Sequence, residues 1–488
     1  MIYPSNTLLF GSAAAIVFFG LFLSYLFGKK RPKNSPPIAH IGLPIIGNYI
    51  EFAKNPVEFV EKCMKKFGLV YTVPMLHKNL TFLLGPEVST PFFKLNDEHM
   101  SQSEVYGFMT PVFGKNVVYD AEPKKRVQQM QHMATGLRSQ KLKAYIPKIE
   151  KETVDFLKKW GESGEIDLLS ALSELTILTA SRCLHGDDVR ENLFEDIAKL
   201  FHDLDKGVTP LSFFFPNAPT PAHAQRDRAR KQMVDIFSKV IKARRDKGGD
   251  TSQNTDILQV FMDLVYKDGS TLSEDEIVGL LIALLFAGQH TSSVTSTWTA
   301  MFLIHNKRCM TEMMKEQNTV LKGDLKQPLD FDMVGDMEYL QNSVKEALRM
   351  HPPLILLMRM AMKDIETTLD GKTYIIPKGD IVVTSPAVSS RLPSVFTNPD
   401  NFEPERFNSE RNEQKTPYAY LGFGAGLHAC MGQQFGLLQV KTIISILFRN
   451  FDFEPIDKEF PEPDYTAMVV GPKNHCKVTY KKRKDAFI

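Results

Sequence analysis

The sequence predicts a mainly α-helical protein with a minor β part, built as one large domain behind an N-terminal membrane anchor. Apolar residues recur at three- and four-residue spacing through most of the 488 residues, which is the periodicity of helices. No Ser/Gly linker, low-complexity tract or internal repeat divides the chain, so a single domain is favoured. The contents of hydrophobic (43%) and charged (24%) residues are ordinary for a globular protein.

Charge and cysteine usage exclude two classes of protein. The formal net charge of +2 argues against a nucleic-acid-binding protein, which is usually far more basic. The five cysteines are scattered, odd in number and without the spacing of metal ligands. This pattern is typical of a reducing compartment and not of a disulfide framework.

Residues 1–28 are predicted to form a membrane anchor. Thr7–Phe27 is apolar and uncharged, and as a helix it would span about 31 Å, close to one hydrocarbon core. The basic residues that follow are Lys29, Lys30, Arg31 and Lys33. They place the rest of the chain on the cytoplasmic side. The alternative is a cleaved signal peptide, which would have a shorter apolar region and a small-residue cleavage site. The proline-rich residues 29–37 predict a stiff spacer before the domain at 38–488.

Helical spacing defines the elements of this domain in order. The shorter predicted helices are Phe52–Phe67, Gln140–Trp160, Leu168–Cys183, Ala222–Arg245, Thr255–Tyr266 and Gly432–Arg449. The longest helix begins after Ser273, which forms a capping box with Glu276, and runs to His305. Because it is almost wholly apolar up to Ala287, it is expected to cross the interior. The segments Lys372–Ile376 and Ile381–Thr384 predict a β-hairpin.

The loop Phe423–Gly432, FGAGLHACMG, holds Cys430 among glycines. Glycine lets the backbone turn tightly and approach a flat ligand where a Cβ atom would collide. A lone thiolate in such a loop suits a single axial bond to haem iron, and nearby peptide N–H groups can hydrogen-bond its sulfur. His428 can donate a hydrogen bond to an anionic group. The alternative is a buried structural cysteine in a glycine-rich turn.

The segment Ala287–Ser292, AGQHTS, lies inside the predicted long helix. Gly288 costs about 1 kcal/mol relative to alanine in a helix interior, which indicates a compensating role. Thr291 can donate its hydroxyl to the carbonyl of Ala287 and bend the helix locally. The resulting groove would hold dioxygen, with Thr291 and His290 available to pass protons. The alternative is a core helix with a tolerated glycine and a satisfied histidine.

Glu346 and Arg349, in the sequence KEALR, share one face of a helix. Arg406, in PERF, would complete a buried triad with them. Loss of one member of such a triad leaves a charge unpaired and costs about 3–5 kcal/mol, so its role is architectural. The alternative is a solvated ion pair on a helix surface.

Together these four motifs resemble the cytochrome P-450 superfamily of haem-thiolate monooxygenases, in the family's order and at its separations. The resemblance covers the chain from about Pro36 to the C-terminus. It implies haem b with Cys430 as the axial ligand to iron, and O2 as co-substrate. It also implies that NADPH supplies electrons through a cytochrome P-450 reductase.

A subgroup is indicated by His290, because most members of the superfamily carry an acidic residue immediately before the groove threonine. A histidine there resembles the sterol 14α-demethylases. The segment Tyr106–Asp120, YGFMTPVFGKNVVYD, is similar to their substrate-facing helix and loop, and FAGQHTSSVTSTWT, HPPLILLMR and MVVGP are similar to the same group. The resemblance implies three successive oxygenations of the sterol 14α-methyl group, which leaves as formic acid and gives a Δ14 double bond. It further implies an endoplasmic reticulum membrane, and azole inhibitors that bind the iron.

The resemblance assigns two sets of residues besides the catalytic pair Thr291 and His290. The side chains expected to reach the haem propionates are Tyr106, Tyr119, Arg126, Arg359 and His428. The side chains expected to line the substrate pocket are Phe108, Met109, Val112, Phe113, Phe286, Ala287, Leu356, Met358 and Met468. Lys124 and Lys125 leave the assignment of Arg126 open. The alternative for the apolar residues is ordinary core packing.

Phe108 predicts a substrate preference. By the same resemblance, plant and some protozoan members carry phenylalanine there, whereas animal and fungal members usually carry leucine. The larger ring would crowd a second methyl group at C4 of the sterol, so C4-monomethylated sterols, obtusifoliol-like or norlanosterol-like, are expected to be preferred over lanosterol. One methyl group in an apolar pocket is worth about 1–3 kcal/mol.

Three other functions compete with this interpretation. The first is a haem-thiolate hydroxylase of another lipid, such as a fatty acid or a steroid. The second is a non-catalytic haem protein that senses or carries sterol. The third, a membrane-anchored helical scaffold without cofactor, predicts no Soret absorption band.

Overall fold

The computed structural model describes residues 31–41, 47–246 and 256–488. The predicted anchor Thr7–Phe27 lies outside these residues. The described chain divides into two compact units. The sheet unit comprises the described residues up to Val105, with Ile355–Phe396 and Thr416–His428. The helical unit comprises Tyr106–Leu354, Thr397–Lys415 and Ala429–Ile488.

The strands of the sheet unit are β1 (Val70–Met75), β2 (Lys78–Leu83), β3 (Met100–Ser101), β5 (Leu357–Ala361), β6 (Ile365–Leu369), β7 (Lys372–Ile376) and β8 (Ile381–Thr384). Five of them form one sheet in the order β1-β2-β8-β5-β3, and β6 and β7 form a two-stranded ribbon. The β1 and β2 strands are antiparallel, with Val70 opposite Leu83. The β2 and β8 strands are parallel, and β8 and β5 are antiparallel.

The predicted hairpin between β7 and β8 is wrong. Strand β7 pairs with β6, and β8 pairs instead with β2 and β5. All four residues of β8 are buried, so this strand gains more by pairing on both edges inside the large sheet. The β6-β7 turn has Asp370 and Gly371 in the left-handed region, with φ of 50° and 76°. Asp-Gly is a strong hairpin signal that the sequence contains.

Short helices accompany the sheet. They are α1 (Gly47–Lys54), α2 (Pro56–Phe67), α3 (Pro86–Lys94) and α18 (Pro386–Ser389), with a 3₁₀ turn at Gly426–His428. The single helix predicted over Phe52–Phe67 is therefore broken in two. Asn55 causes the break because its backbone is extended and its side chain accepts the N–H of Glu58 at 3.1 Å, starting a new helix with Pro56 in its first turn.

The part of the predicted spacer that the structure describes is bound to this sheet. Arg31 donates to both carboxylate oxygens of Asp380, at 2.6 and 3.2 Å, and to the Thr72 hydroxyl at 3.1 Å. The backbone N–H of Thr72 donates to the carbonyl of Pro37. Residues 31–37 are thus fixed by polar contacts in addition to the stiffness of their prolines.

The helical unit contains most of the helices. They are α5 (Thr110–Phe113), α6 (Pro123–Thr135), α7 (Ser139–Leu157), α8 (Leu168–Leu184), α9 (Asp187–Asn192), α10 (Phe194–Lys206), α11 (Pro210–Phe214), α12 (Pro221–Asp246), α13 (Ile257–Met262), α14 (Glu274–His305), α15 (Lys307–Val320), α16 (Phe331–Asp336), α17 (Glu338–Met350) and α19 (Gln433–Asn450). Helix α4 (Ser103–Tyr106) ends at Tyr106, which is the first residue of the helical unit. The 3₁₀ turns of this unit occur at Gly107–Met109, Pro404–Phe407 and Glu413–Lys415.

The predicted capping box is confirmed and starts α14. The Ser273 hydroxyl accepts the N–H of Glu276 at 3.3 Å, and the Glu276 carboxylate accepts the N–H of Ser273 at 2.7 Å. Helix α14 is also long and apolar enough to cross a membrane, but 67% of its most apolar stretch is buried inside the protein. It is the central helix of the unit, as its sequence predicts.

Most other predicted helices agree with the structure within a few residues: α7, α8, α12 and α19. The helix predicted at Thr255–Tyr266 is shorter, as α13, and Thr255 lies outside the described residues. Three antiparallel strands complete the unit: β4 (Ser163–Asp167), β9 (Phe451–Pro455) and β10 (Lys477–Lys482), in the order β4-β10-β9.

Candidate active site

Helix α14 has accessible side chains in the middle of its length. Its side chains are buried from Ile277 to Phe286 and again from Ser292 to Ile304, whereas Ala287 is exposed and the next four residues are half-buried. A helix packed on all sides would show no such gap. The segment that the sequence marks as a groove is therefore the place where α14 borders an open space.

Thr291 and His290 lie in this gap with different contacts. The Thr291 hydroxyl donates to the carbonyl of Ala287 at 2.6 Å, as predicted from the sequence. The His290 Nε2 atom lies 3.3 Å from an oxygen of Asp205, which is on α10. The His290 ring also stacks on Phe201, with 5.4 Å between centroids. Thr291 therefore shapes the helix, and His290 joins it to a second helix.

Cys430 differs from the other cysteines. Cys63, Cys183, Cys309 and Cys476 are buried, and Cys430 is exposed. Protein nevertheless surrounds the Cys430 thiol closely enough that burial raises its pKa, while a hydrogen bond from the Gly432 N–H lowers it. A thiol that is both surrounded by protein and accessible is expected to line an internal space, and Cys430 has both properties.

Two of the predicted propionate partners lie in the sheet unit. Arg359, on β5, is buried, donates to the carbonyl of Phe92 and places its guanidinium 4.4 Å from the centre of that ring. The His428 Nε2 atom lies 3.2 Å from an oxygen of Asp97. Before His428, Gly426 has a φ of +67°, and a Cβ atom there would collide with the carbonyl of Phe93. The start of the cysteine loop thus requires glycine.

The other three predicted partners lie together in the helical unit. The rings of Tyr106 and Tyr119 stack with 5.1 Å between centroids. Burial raises the pKa of Tyr119, and the nearby positive charge of Arg126 lowers it. Lys125 is turned elsewhere, toward Asp268 and the Tyr266 ring. The position of Arg126 beside Tyr119 favours it over Lys125 as the third member of this cluster.

The predicted pocket residues of the helical unit form an aromatic wall that ends at α14. Phe108 packs edge-on against Phe213 of α11, at 5.7 Å, and Phe113 packs edge-on against Phe286 of α14, at 5.8 Å. Phe286 in turn lies 4.5 Å from Phe201. Met109 and Val112 are buried in the same segment. The wall therefore runs from the predicted substrate segment to the gap in α14.

The second set of pocket candidates is placed less uniformly. Leu356 and Met358 are half-buried in the sheet unit, immediately before and within β5. Met468 is 45% exposed, in a turn whose Gly471 lies against Val294 of α14. Of the remaining candidates, Phe286 belongs to the aromatic wall and Ala287 follows it on α14.

The predicted triad is buried and in contact. One oxygen of Glu346 accepts from Arg349 at 2.9 Å and from Arg406 at 2.8 Å, and its other oxygen accepts from Arg349 at 2.8 Å. Arg406 also donates to Glu413 at 2.6 Å. Burial alone would raise the pKa of Glu413, but hydrogen bonds from Arg411 and Arg406 lower it overall. Glu413 balances the second arginine, and with Arg411 and Glu403 the cluster has three cations and three anions.

A family comparison identifies the fold. The model of the cytochrome P450 family matches residues 36–480. The chain belongs to the cytochrome P450 family. A solved structure of cyanobacterial CYP120A1 bound to retinoic acid has the same fold, with a TM-score of 0.80 over 93% of this chain and 100% of that chain, at 23% identity. The predicted family and the mainly α fold are confirmed.

Relatives within this P450 family are similar over nearly the full length. A sterol 14-demethylase of Arabidopsis thaliana is 46% identical over 96% of this chain and 96% of its own length. An obtusifoliol 14-alpha demethylase of Sorghum bicolor is 45% identical over 96% and 95%. The human lanosterol 14-alpha demethylase is 40% identical over 92% of this chain and 87% of its own length.

The residues present fit the haem of a P450. Cys430 offers a surrounded but accessible thiol with a peptide N–H at its sulfur, which suits the single axial thiolate ligand of this family. The gap in α14 leaves room beside Thr291. This chain is accordingly a haem-thiolate monooxygenase that uses haem iron and O2.

The sequence reasoning missed three contributors to the site. Phe201 and Asp205 lie on α10, a helix that was not predicted, although Ile197, Leu200 and Leu204 complete an apolar face on it with helical spacing. Phe213, on the short helix α11, carries no such signal because a five-residue helix is too short to show periodicity.

Proposed function

We propose that this chain is a sterol 14α-demethylase. The observation that carries the proposal is the aromatic wall, which runs from Phe108 through Tyr106, Tyr119 and Phe113 to Phe286, beside the gap in α14. Such a wall suits a rigid and almost wholly apolar substrate that needs few polar contacts. Relatives at 45–46% identity that are named as obtusifoliol or sterol demethylases support the same function.

The proposed reaction is three successive oxygenations of the sterol 14α-methyl group. The methyl group becomes an alcohol, then an aldehyde, and then leaves as formic acid, which creates a Δ14 double bond. Each round consumes one O2 and two electrons, and the electrons are supplied by NADPH through a cytochrome P-450 reductase. When bound, the haem supplies the activation of O2 for each round.

Cys430 would hold the haem iron through its thiolate. The Gly432 N–H hydrogen-bonds the sulfur, and this contact tunes how strongly the thiolate donates electron density. Tyr106, Tyr119 and Arg126 would bind a propionate. Arg359, whose guanidinium donates to the Phe92 carbonyl, and His428 would also bind propionates.

His290 and Thr291 would handle protons at the gap in α14. The Thr291 hydroxyl donates a hydrogen bond to the Ala287 carbonyl, so its oxygen can accept a hydrogen bond from a donor such as water. The His290 Nε2 atom lies 3.3 Å from the Asp205 carboxylate without a hydrogen bond to it, so the ring can pass a proton at the gap. A histidine suits this task because its ring can both accept and donate a proton.

The proposal extends to substrate preference. Phe108 is only 8% exposed and is held by Phe213 and Tyr106, so its ring has little freedom to move away from a bulky ligand. A second methyl group at C4 would meet this ring. We therefore expect obtusifoliol-like sterols, with one C4 methyl group, to be preferred over lanosterol.

The proposed setting is the endoplasmic reticulum membrane. The apolar segment Thr7–Phe27 and the basic residues after it would form a single-pass anchor with the catalytic domain in the cytoplasm. Azole inhibitors would bind the haem iron.

The test is product analysis of the purified protein with reductase and NADPH, offered equal amounts of obtusifoliol and lanosterol. We expect obtusifoliol to lose its 14α-methyl group first, and the variant Phe108→Leu to turn over lanosterol faster relative to obtusifoliol. Preference for lanosterol in the unmodified protein would keep the demethylase assignment and contradict the role of Phe108.

Two results would favour the competing functions. If neither sterol reacts while the reduced CO complex shows a thiolate-type Soret band, the enzyme acts on another lipid. If sterol binds but does not increase NADPH consumption, the protein is a non-catalytic sterol-binding haem protein.

A further inference from the structure

The aromatic wall is held from behind by an arginine of another helix. Arg230, on α12, donates from Nη2 to the backbone carbonyl of Phe113 at 3.3 Å. The same guanidinium donates to both oxygens of Asp275, in the first turn of α14, at 2.9 Å each. A bidentate pair of this kind fixes the plane of the guanidinium. Arg230 thus connects α12, α14 and the end of α5 through one planar group.

Two glycines make room for this arrangement. Gly114 follows Phe113 with a φ of +104°, and a Cβ atom there would collide with Arg230. Gly279, one turn after Asp275 on α14, approaches the carbonyl of Phe113 so closely that a Cβ atom would collide with that oxygen. The Phe113 carbonyl is therefore enclosed between a glycine of α14 and the arginine.

The C-terminal end of the segment Tyr106–Asp120 is held by contacts that do not involve Arg230. The buried Gln129 side chain donates to the carbonyl of Asn116 at 2.8 Å and accepts the N–H of Val118 at 3.2 Å. Asp120 accepts the N–H of Asn116 at 2.8 Å. Loss of the Arg230 contacts would therefore free the α5 end and leave residues 116–120 in place.

The ion pair of Arg230 is open to solvent. The side chain of Arg230 is 17% exposed and that of Asp275 is 49% exposed, and a surface hollow of about 270 Å³ lies beside them. Salt ions can reach such a pair and screen it, unlike the buried pairs of the protein. Ionic strength should therefore weaken the brace on the wall.

We propose that Arg230, held by Asp275, is a positioning residue. It fixes the position of Phe113 in the aromatic wall and thereby the fit of the sterol. This inference rests on the proposed function for its substrate. The brace itself is a property of the chain that can be measured without sterol.

The first measurement is hydrogen–deuterium exchange of the full-length protein without sterol. In Arg230→Gln we expect exchange to rise over residues 106–114 and to stay unchanged over 116–120. The chain offers a matched control, because Arg245 and Glu274 form a second exposed ion pair between the same two helices, at 2.8 Å. Arg245→Gln removes a similar charge pair and should leave both segments unchanged. Equal exchange at residues 106–114 in both variants and the unmodified protein would overturn the brace.

The second measurement separates positioning from general stability. For Arg230→Gln we expect the KM for sterol to rise about three- to tenfold, the loss expected for one hydrogen bond with a braced ion pair, with kcat changing less than KM. Asp275→Asn should give part of the effect, and Arg230→Lys should rescue part of it. Raising the salt concentration should raise the KM of the unmodified protein more than that of Arg230→Gln.

These outcomes separate this inference from the proposed function. If the unmodified protein demethylates no sterol but exchange rises only in Arg230→Gln, the brace stands and the substrate assignment fails. If sterol is demethylated and Arg230→Gln matches Arg245→Gln in exchange, KM and salt response, the positioning role is overturned.

Discussion

His290 and Thr291 are neighbours on α14 whose side chains make different contacts. The Thr291 contact to Ala287 is within one helical turn, so it follows from local geometry and could be predicted from the sequence. The His290 contact to Asp205 joins two helices. Sequence spacing carries no information about such a partner, and only the identity of His290 marked it as unusual.

Replacing His290 tests its role in proton handling. We expect His290→Ala to lower turnover far more than sterol affinity, because the side chain would hold a proton and does not form the aromatic wall. Asp205→Asn should lower turnover less, since it keeps His290 and alters only its partner. Turnover and the sterol-induced shift of the Soret band measure the two quantities. Equal losses in both would mean that His290 is chiefly structural.

Glu346 tests the architectural cluster at the same scale. Its side chain is fully buried and accepts from two fully buried arginines, so Glu346→Ala would remove a carboxylate from both and leave Glu413 as a partner of Arg406. We expect the free energy of unfolding to fall by about 3–5 kcal/mol, or folding and haem content to be lost. Glu410→Ala removes an exposed carboxylate from the loop after Arg406 and should change stability little. Similar unfolding midpoints for the two variants would contradict the account.

The sequence indicated only part of this cluster. KEALR places Glu346 and Arg349 on one face of a helix, whereas Glu413 lies in an irregular loop and its contact to Arg406 has no periodic signal. Charge balance could have suggested a second anion, because two buried arginines need more than one carboxylate.

At the scale of elements, α14 contains two glycines with opposite surroundings. A Cβ atom at Gly279 would collide with the carbonyl of Phe113, whereas one at Gly288 would meet only Leu184, at an ordinary 3.7 Å. We expect Gly288→Ala to stabilise the fold by up to about 1 kcal/mol through helix propensity. Gly279→Ala should destabilise it despite the same gain in propensity. Thermal unfolding of both variants measures this, and equal shifts in Tm would contradict the packing argument.

Helix α19 carries a buried lysine whose effect depends on pH. Burial lowers the pKa of Lys441 to about 8, while the unfolded value is about 10.4. Between these values the unfolded chain holds a proton that the folded chain does not, so this residue makes stability rise with pH. Below about pH 8 the folded state carries the full cost of the buried charge.

Lys441→Met should remove this dependence. We expect the variant to be more stable than the unmodified protein at pH 7, and the difference to shrink as the pH rises from about 8 toward 10.4. Chemical unfolding at a series of pH values measures the difference. A difference that stays constant over this range would show that the buried charge of Lys441 does not lower the free energy of unfolding as proposed.

The sequence patterns located strands β7 and β8 but predicted the wrong pairing for them. Strands β7 and β8 are adjacent in sequence, yet β8 pairs with β2 from a distant part of the chain. Alternation of side chains identifies a strand but not its neighbours. The Asp370-Gly371 turn was readable and correctly indicates the β6-β7 hairpin.

At the scale of the whole molecule, the family and the fold class were predictable because four motifs occur in one order. The family model spans residues 36–480, which include parts of both compact units. Because each unit is assembled from segments far apart in sequence, no composition boundary marks where one ends. The division into two units is therefore invisible to sequence patterns, and the single domain at 38–488 stays a prediction.

The demethylase function is tested with a sterol isotopically labelled in its 14α-methyl group, incubated with the unmodified protein, reductase and NADPH. We expect labelled formate, with three NADPH oxidised for each formate released. Cys430→Ser should release none, whereas Cys63→Ala, which alters a buried thiol on α2, should still release it. NADPH oxidation with the label remaining in the sterol, or labelled formate from Cys430→Ser, would contradict the account.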